Sequence, residues 1–252
     1  MSHTQRLAGI GTLSAGAAHE LVNPLSVITS TCSNLLYELE AESFDRELLT
    51  YYVDLVERNA FRIAQIVKVL QEYAHLDEPQ IVVTDVDIIL RDALALVEKQ
   101  FLTQANIQID VDMGRDIGSV VCDHNRLTQV LVNLLTNARD AIGSDGGKIQ
   151  LRFWSILNKG ERVSGGRQLS ENGSGQFAFS VKDNGHGIQN DSMDHLFKPF
   201  FSTRANGQGL GLGLFIAKGI IEQHNGRIWA ENNPAPQKGA TFTVTLPSRP
   251  SF

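Results

Sequence analysis

The segment AHELVNPLSVITSTCSNLLYEL, residues 18–39, carries apolar residues at alternating steps of three and four. This spacing is the period of a helix that packs along one narrow stripe in a coiled coil or a helical bundle. Beyond a polar break at residues 42–45, a second pattern of this kind follows at Tyr52, Val56, Ile63, Ile66, Leu70 and Tyr73. Two long helices with a short connection predict an antiparallel helical hairpin over residues 1–76.

A single hairpin of this kind leaves part of each apolar stripe exposed to water. Pairing two hairpins into a four-helix bundle would cover the stripe, so we predict a homodimer through this segment. The alternative is that the hairpin packs against the C-terminal part of its own chain.

After a polar linker at residues 77–80, which contains Pro79, the sequence alternates between strand and helix patterns. Strands are predicted at 81–84, 107–111, 120–121, 148–157, 176–182, 227–231 and 240–246, and helices at 85–104, 124–143 and 210–224. Such interleaving predicts a two-layer α/β sandwich over residues 81–252. The whole chain is therefore expected to be an α+β protein.

The composition excludes several classes of protein. The formal net charge is −6, which disfavours binding nucleic acid through the overall field of the protein. No run approaches the roughly 20 apolar residues of a membrane helix, so no membrane contact is expected within this chain. The two cysteines, Cys32 and Cys122, match no metal or redox spacing. These features favour a cytoplasmic protein, or the cytoplasmic part of a longer sensor.

The first chemical motif is HELVNPL, residues 19–25, on the first predicted helix. His19 and Asn23 share one helical face, and Glu20 is the neighbour of His19. A neutral imidazole can attack a phosphorus atom while a carboxylate accepts its proton. Pro24 is expected to bend the helix at this point. The alternative is a solvated surface pair of His and Glu.

The second motif is NLLTNARDA, residues 133–141. Asn133 and Asn137 lie four residues apart on one helical face, where amide oxygens suit a hard cation and amide N–H groups suit phosphates. The alternative is a pair of solvated amides.

The third motif is DNGHGI, residues 183–188, directly after a predicted strand. The carboxylate of Asp183 can accept a hydrogen bond from the exocyclic amine of adenine, and Gly185 and Gly187 let the backbone approach a flat ring. The alternative is an ordinary turn, because Asp, Asn and Gly are common turn residues.

The fourth motif is GQGLGLGL, residues 207–214, which opens a predicted helix. Its glycines expose backbone N–H groups near a helix N-terminus, and both suit phosphates, although the spacing is not that of a Walker loop. The preceding FKPFFSTR, residues 197–204, suggests a lid with an apolar latch. The alternatives are a flexible loop and ordinary core packing.

In this order and spacing the motifs resemble the boxes of the histidine kinase family, over almost the whole chain. HELVNPL is similar to its H-box, NLLTNARDA to its N-box, and DNGHGI, FKPFFSTR and GQGLGLGL to its G- and F-boxes. The last four also resemble the wider superfamily of gyrase, heat-shock chaperone and mismatch-repair ATPases. The sequence around His19 is most similar to kinases of the nitrogen-regulation type.

The resemblance implies a role for each matching residue. His19 would be the phospho-accepting nucleophile, Glu20 its acid/base partner, and Asn23 would orient water in a dephosphorylation reaction. Asn137 would bind Mg²⁺, with Asn133 supporting the metal and the phosphates. The remaining ATP-binding residues would be Asp183, Gly185, Gly187, Ile188, Phe201, Thr203, Arg204, Gly207, Gly209, Leu210, Gly211 and Gly213.

The implied function is ATP-dependent autophosphorylation of His19 and phosphoryl transfer to an aspartate of a response-regulator receiver domain, with a possible phosphatase activity toward that partner. Two alternatives remain at this point. One is a conformational ATPase without a phosphohistidine, and the other is a docking or phosphatase module that binds ATP only as a regulatory ligand.

Overall fold

The computed structural model describes residues 3–40, 45–74, 79–104, 106–114, 117–156, 175–203 and 211–247. The chain divides into two compact units, which we call the hairpin unit and the sheet unit. The hairpin unit consists of Met1–Asp77 and Lys198–Leu212, and the sheet unit of Glu78–Phe197 and Gly213–Phe252. The predicted linker at 77–80 stays a prediction, because residues 75–78 lie outside the described part of the chain.

The hairpin unit contains two long helices, α1 at His3–Glu40 and α2 at Arg46–Ala74. Asp45 caps α2, because its Oδ1 accepts hydrogen bonds from the backbone N–H groups of Glu47 at 2.8 Å and Leu48 at 3.3 Å. No helix in the described ranges is long and apolar enough to cross a membrane.

The apolar stripe predicted for α1 is not buried within the hairpin. The buried residues Ala17 and Thr31 each lie one position before a stripe position, whereas Leu25 and Leu39 on the predicted stripe are 55% and 54% exposed. One hairpin therefore leaves large apolar side chains uncovered, as the sequence pattern predicted. The helix continues through Pro24, and the predicted bend there stays a prediction.

The sheet unit contains seven strands and three helices among its described residues. The strands are β1 at Val82–Asp85, β2 at Ile107–Met113, β3 at Ser119–Cys122, β4 at Gly147–Ile156, β5 at Gln176–Asp183, β6 at Arg227–Asn232 and β7 at Ala240–Pro247. The helices are α3 at Val86–Gln104, α4 at His124–Ile142 and α5 at Gly213–Gln223. Short 3₁₀ turns lie at Gly143–Asp145 and Asn190–His195.

Five of these strands form one mixed sheet in the order β2-β4-β5-β7-β6. The β2–β4 pair is parallel and the other pairs are antiparallel, while β1 and β3 form a separate antiparallel pair. Alternate residues of β4 and β5 bury one face of the sheet, including Leu151, Phe153 and Phe179. The apolar face of α4 belongs to the same core. The predicted α+β fold with a two-layer sandwich is confirmed.

The ends of α4 follow the sequence signals. Asp123 is the N-cap, and its side chain accepts a hydrogen bond from the N–H of Arg126, while Gly143 ends the helix with a φ of 76°. The start of α5 was predicted wrongly, at Leu210. The helix begins at Gly213, and Gly211 before it has a φ of 62°, a left-handed conformation that does not continue an α-helix.

Candidate functional site

The end of β5 places a buried carboxylate in the sheet unit. Asp183 is 2% exposed, and its Oδ1 accepts hydrogen bonds from the N–H groups of Gly185 at 2.9 Å and Ala240 at 3.2 Å. Burial raises the pKa of this carboxyl above its ordinary value, while the two backbone donors oppose that change. Because both bonds use Oδ1, a ligand amine would be accepted by Oδ2.

The loop after Asp183 approaches α4 so closely that it needs glycine. A Cβ at Gly185 would overlap the carbonyl group of Ala141, and the N–H of His186 donates to the same carbonyl at 3.1 Å. Gly187 has a φ of 76°, which side chains rarely adopt. Both glycines of the third motif are thus required by the backbone path.

Two asparagine side chains hold this loop from neighbouring elements. Asn184 accepts a hydrogen bond from the N–H of Lys148 at the start of β4, at 2.8 Å. Asn232, the last residue of β6, bonds both the N–H and the carbonyl of Ile188, each at 2.7 Å. Asn232 was missed by the sequence analysis, because an Asn after a strand pattern carries no signal beyond that of a turn.

The face of α4 connects this loop with the start of α5. The Nδ2 of Asn133 donates to the carbonyl of Gly213 at 3.1 Å, Asn137 lies one turn further on, and Ala141 one turn beyond that contacts the loop. Eight residues of helix span about 12 Å. The arrangement is therefore an elongated site with a carboxylate at one end and a helix N-terminus at the other.

The start of α5 favours anions. The first backbone N–H groups of a helix have no partner within the helix, and its dipole adds positive potential there. The nearby amides also fit Mg²⁺. Asn133 uses its nitrogen on Gly213, so its oxygen is a candidate ligand, and the carboxamide of Asn137 follows one turn further along α4. One or two such oxygens, completed by phosphates and water, form the ligand set that Mg²⁺ accepts.

In the hairpin unit, His19 and Asn23 are exposed on one face of α1. The amide nitrogen of Asn23 lies 3.3 Å from Nδ1 of His19, so the amide engages one ring nitrogen and leaves Nε2 outside the bond. The two residues predicted to share one helical face are therefore in contact.

The carboxylate of Glu20 is held by α2. The Nη2 of Arg62 donates to Oε2 of Glu20 at 2.8 Å, and both side chains are partly buried. Arg62 was missed by the sequence analysis. Its position beside Ile63 and Ile66 could have identified it. A charged residue next to the inner stripe of a helix is partly buried and therefore needs a partner.

The described part of the phenylalanine-rich segment groups with the hairpin unit. A Cβ on Gly16 would lie 2.8 Å from the ring of Phe200, so the ring packs against the bare backbone one turn before His19. Gly211 lies against the backbone of Phe200 and Phe201 in the same way. Thr203 is exposed.

The sequence matches the family described as "Histidine kinase-, DNA gyrase B-, and HSP90-like ATPase" over residues 122–250, just over half of the chain. The chain belongs to this family. It is also similar over nearly its whole length to sensor kinases. It is 33% identical over 249 residues to Sensor kinase CckA of Brucella abortus (strain 2308), covering 98% of this chain and 25% of that protein. It is 32% identical over 250 residues to the histidine-protein kinase AtoS of Escherichia coli (strain K12), covering 99% and 37%.

The fold of this histidine kinase core agrees with a solved relative. The crystal structure of histidine kinase ThkA in complex with response regulator protein TrrA matches with a TM-score of 0.70 and 26% identity, covering 98% of this chain and 64% of that chain. The predicted resemblance to a sensor histidine kinase catalytic core is confirmed, and so is the ATP-binding family of its C-terminal part. The nitrogen-regulation type stays a prediction.

Within this histidine kinase core, the structure brings together three sets of predicted site residues. Asp183, Gly185, Gly187 and Ile188 form one loop, Asn133 contacts Gly213, and His19 contacts Asn23. Four predicted residues lie outside the described part of the chain, namely Arg204, Gly207, Gly209 and Leu210.

Proposed function

We propose that this histidine kinase core uses Mg-ATP to phosphorylate its own His19 and then passes the phosphoryl group to an aspartate of a response-regulator receiver domain. One observation supports the proposal most directly. A single face of α4 leads from the start of α5, which suits phosphates, to a buried carboxylate, which suits the amine of adenine.

At the adenine end, Oδ2 of Asp183 accepts the exocyclic amine, while Gly185, Gly187 and Ile188 provide the backbone surface for the ring. At the phosphate end, Asn137 would hold Mg²⁺ with the support of Asn133, and the ion would supply positive charge beside the phosphates. The other phosphate and lid residues of this proposal are Phe201, Thr203, Arg204, Gly207, Gly209, Leu210, Gly211 and Gly213.

In the phosphoryl transfer, a ring nitrogen of His19 attacks the γ-phosphorus. The bond between that phosphorus and the β–γ bridging oxygen breaks, and ADP leaves. The imidazole attacks in its neutral form, and Glu20 accepts the proton that the ring loses as the N–P bond forms. The phosphoryl group then moves to the aspartate of the response regulator. Asn23 orients water when the same surface hydrolyses the phosphorylated partner.

The partners of this kinase core follow from its surface and its relatives. Leu25 and Leu39 on α1 are more than half exposed, as are Val53 and Phe61 on α2, and a second hairpin would cover them in a four-helix bundle. We therefore propose a homodimer through residues 1–76. The solved relative ThkA is in complex with a response regulator, which supports a partner of that class.

A conformational ATPase without a phosphohistidine is not favoured. The relatives CckA and AtoS are similar to this chain over 98% and 99% of its length, which includes the hairpin with His19, and both are named as kinases.

The deciding experiment incubates the wild type and His19→Ala with γ-labelled ATP and Mg²⁺. We expect label that is lost in acid, kept in base and absent from His19→Ala. His124→Ala serves as the matched control, because His124 lies at the start of α4 and bonds Asp92 at 2.9 Å, and it should keep the label. Steady ATP hydrolysis without a labelled protein would instead support the ATPase, and full labelling of His19→Ala would reject the assigned acceptor.

A further inference from the structure

Two consecutive asparagines, Asn232 at the end of β6 and Asn233 at the start of the turn to β7, bond the two ends of the loop 183–188. Asn233 donates from Nδ2 to the carbonyl of Asp183 at 2.7 Å, and Asn232 bonds both backbone groups of Ile188. Neither asparagine belongs to one of the sequence motifs that resemble the boxes of the histidine kinase family.

The side chain of Asn233 is itself fixed by further hydrogen bonds. Its side chain is 9% exposed, and its Nδ2 also donates to the carbonyl of Lys238 at 2.8 Å. Its Oδ1 accepts a hydrogen bond from the hydroxyl of Thr241 at 2.7 Å. The orientation of the amide is fixed, because the two carbonyl oxygens beside Nδ2 can only accept.

The same turn also supplies a donor to the side chain of Asp183. The backbone N–H of Asn233 donates to the carbonyl of Gly239 at 2.9 Å, and the next residue, Ala240, donates to Oδ1 of Asp183. Gly239 has a φ of 93°, and a Cβ there would overlap the carbonyl of Asp183. Both the backbone and the carboxylate of Asp183 are thus located by one turn.

At the other end of the loop, Asn232 binds Ile188 as a neighbouring strand would. Its amide accepts from the N–H and donates to the carbonyl of one residue, which is the pattern of a paired peptide group. Its Oδ1 would lie 3.0 Å from a Cβ on Gly187. This glycine lets the asparagine reach the loop.

We propose that Asn232 and Asn233 are positioning residues that set the preference of this kinase core for adenine over other bases. They hold the loop so that Oδ2 of Asp183 meets the 6-amino group of the purine, without contacting the nucleotide themselves. The inference rests on the proposed function, because it assumes that Asp183 recognises adenine. The affinity for a purine nucleotide that lacks the 6-amino group should therefore not change when this positioning is lost.

The test compares the dissociation constants of Mg-ATP and of the Mg complex of purine riboside triphosphate, which lacks the amine, on the full chain. In the wild type we expect ATP to bind roughly ten- to a hundredfold more tightly, the range of a hydrogen bond to a charged group. In Asn232→Ala this ratio should fall by about threefold or more, because the two sites are energetically coupled, while the affinity for purine riboside triphosphate stays within a factor of about two.

Asn125→Ala is the matched control, since Asn125 is an exposed asparagine of the same unit on α4, and it should keep the wild-type ratio. Asn233→Ala should reduce the ratio of the two dissociation constants further, provided that a cooperative thermal unfolding transition shows the variant to be folded. If it does not fold, the exposed Asn232 alone decides the outcome.

An unchanged ratio in Asn232→Ala, or an equal loss of affinity for both nucleotides, would overturn the inference. If the wild type itself did not discriminate between the two nucleotides, the adenine role of Asp183 would be wrong. That outcome would separate a failure of the proposed site from a failure of the asparagine pair.

Discussion

Arg62 on α2 donates a hydrogen bond of 2.8 Å to the carboxylate of Glu20, the residue next to His19. The two residues are separated by 42 positions in sequence, so the packing of the hairpin creates the pair. In the proposed reaction Glu20 accepts the proton of His19, so its carboxylate has to be oriented, and the hydrogen bond from Arg62 fixes that orientation.

We therefore expect Arg62→Met to lower the initial rate of autophosphorylation by about tenfold, part of the roughly 100- to 10,000-fold that a positioned acid/base group contributes. Arg62→Lys keeps the charge and should recover part of the rate. The measurement is label incorporation at saturating Mg-ATP.

The matched control for Arg62 is Arg58→Met. Arg58 lies on the same helix, is largely exposed, and pairs with Asp54 within α2. Exposed pairs of this type contribute little, so its rate should stay near that of the wild type. Equal rates in the two methionine variants would show that the contact with Glu20 does not matter for the reaction.

The affinity for ADP should depend on pH through Asp183. Burial raises the pKa of its carboxyl above 3.8, and only the ionised form leaves Oδ2 without a proton to accept the adenine amine. As the pH falls through this raised value, the carboxyl becomes protonated and affinity is lost, at a higher pH than an ordinary aspartate would cause.

Calorimetric titration of ADP against pH tests this expectation. Asp183→Asn should bind about ten- to a hundredfold more weakly at neutral pH and should lack the pH dependence. Asp191→Asn, on the exposed 3₁₀ turn after the loop, should behave like the wild type. A pH profile that survives in Asp183→Asn would assign the titration to another group.

The stability of the sheet unit should fall in mild acid because of His224. This residue is 6% exposed at the end of α5; its Nε2 accepts from the N–H of Asp123 at 3.0 Å, and its Nδ1–H donates to the carbonyl of Ile220 at 2.8 Å. Burial lowers the pKa of His224 below 6.5, with the charges of Asp123 and Arg126 acting in opposite directions.

The unfolded chain therefore binds more protons than the folded one below pH 6.5, and stability decreases as the pH falls, by at most about 1.4 kcal/mol per pH unit. Urea unfolding followed by the fluorescence of Trp154 and Trp229 reports on this unit, which holds both tryptophans of the chain. His224→Leu should reduce stability at pH 8 by about 1 to 3 kcal/mol and flatten the pH dependence. A steep dependence in that variant would point to a different histidine.

The proposed dimer predicts that two charges on the exposed stripe of α1 separate the chains. Leu25→Glu combined with Leu39→Glu should convert a dimer into a monomer in sedimentation equilibrium, because burying carboxylates in the bundle is unfavourable. Val83→Glu is the control, since Val83 is 74% exposed in the sheet unit. A wild type that is monomeric at high concentration would reject the proposed bundle.

The two cysteines provide an independent measurement of that interface. Cys32 is exposed on α1, whereas burial raises the pKa of the Cys122 thiol to about 11. We expect Cys122 to be unreactive toward a thiol reagent at pH 8 and Cys32 to react more slowly as the protein concentration rises and dimers form. Uniform reactivity of Cys32 at all concentrations would leave it outside the interface.

Local patterns in the sequence were enough to predict most elements of this fold. The helix α4 has a cap at Asp123 and a glycine at its end, and both act through neighbouring residues. The alternation of β5 and the glycines after it are also local signals. The loop 183–188 could therefore be assigned to a turn beside a binding site before its contacts were known.

Contacts between distant segments could not be predicted in this way. Asn232 and Asn233 bond residues 44 and 50 positions away, and nothing near them in sequence identifies those partners. The pairing of Arg62 with Glu20 depends on how α2 is rotated about its own axis. An apolar stripe defines that rotation only to about one residue, which is not enough to predict the pair. The start of α5 was missed because Gly211 adopts a backbone conformation that glycine permits and that a helical pattern does not reveal.

The helix α4 is bonded at both of its ends, at Asp123 by His224 and at Ala141 by the loop after β5. Its amide protons should therefore exchange with solvent deuterium through a common opening reaction and not by fraying from one end. Nucleotide bound near Asn137 would make that opening rarer by mass action. The protection should extend to the first residue of the helix, about 14 Å from Asn133 along the axis, where no atom of the nucleotide would be in contact.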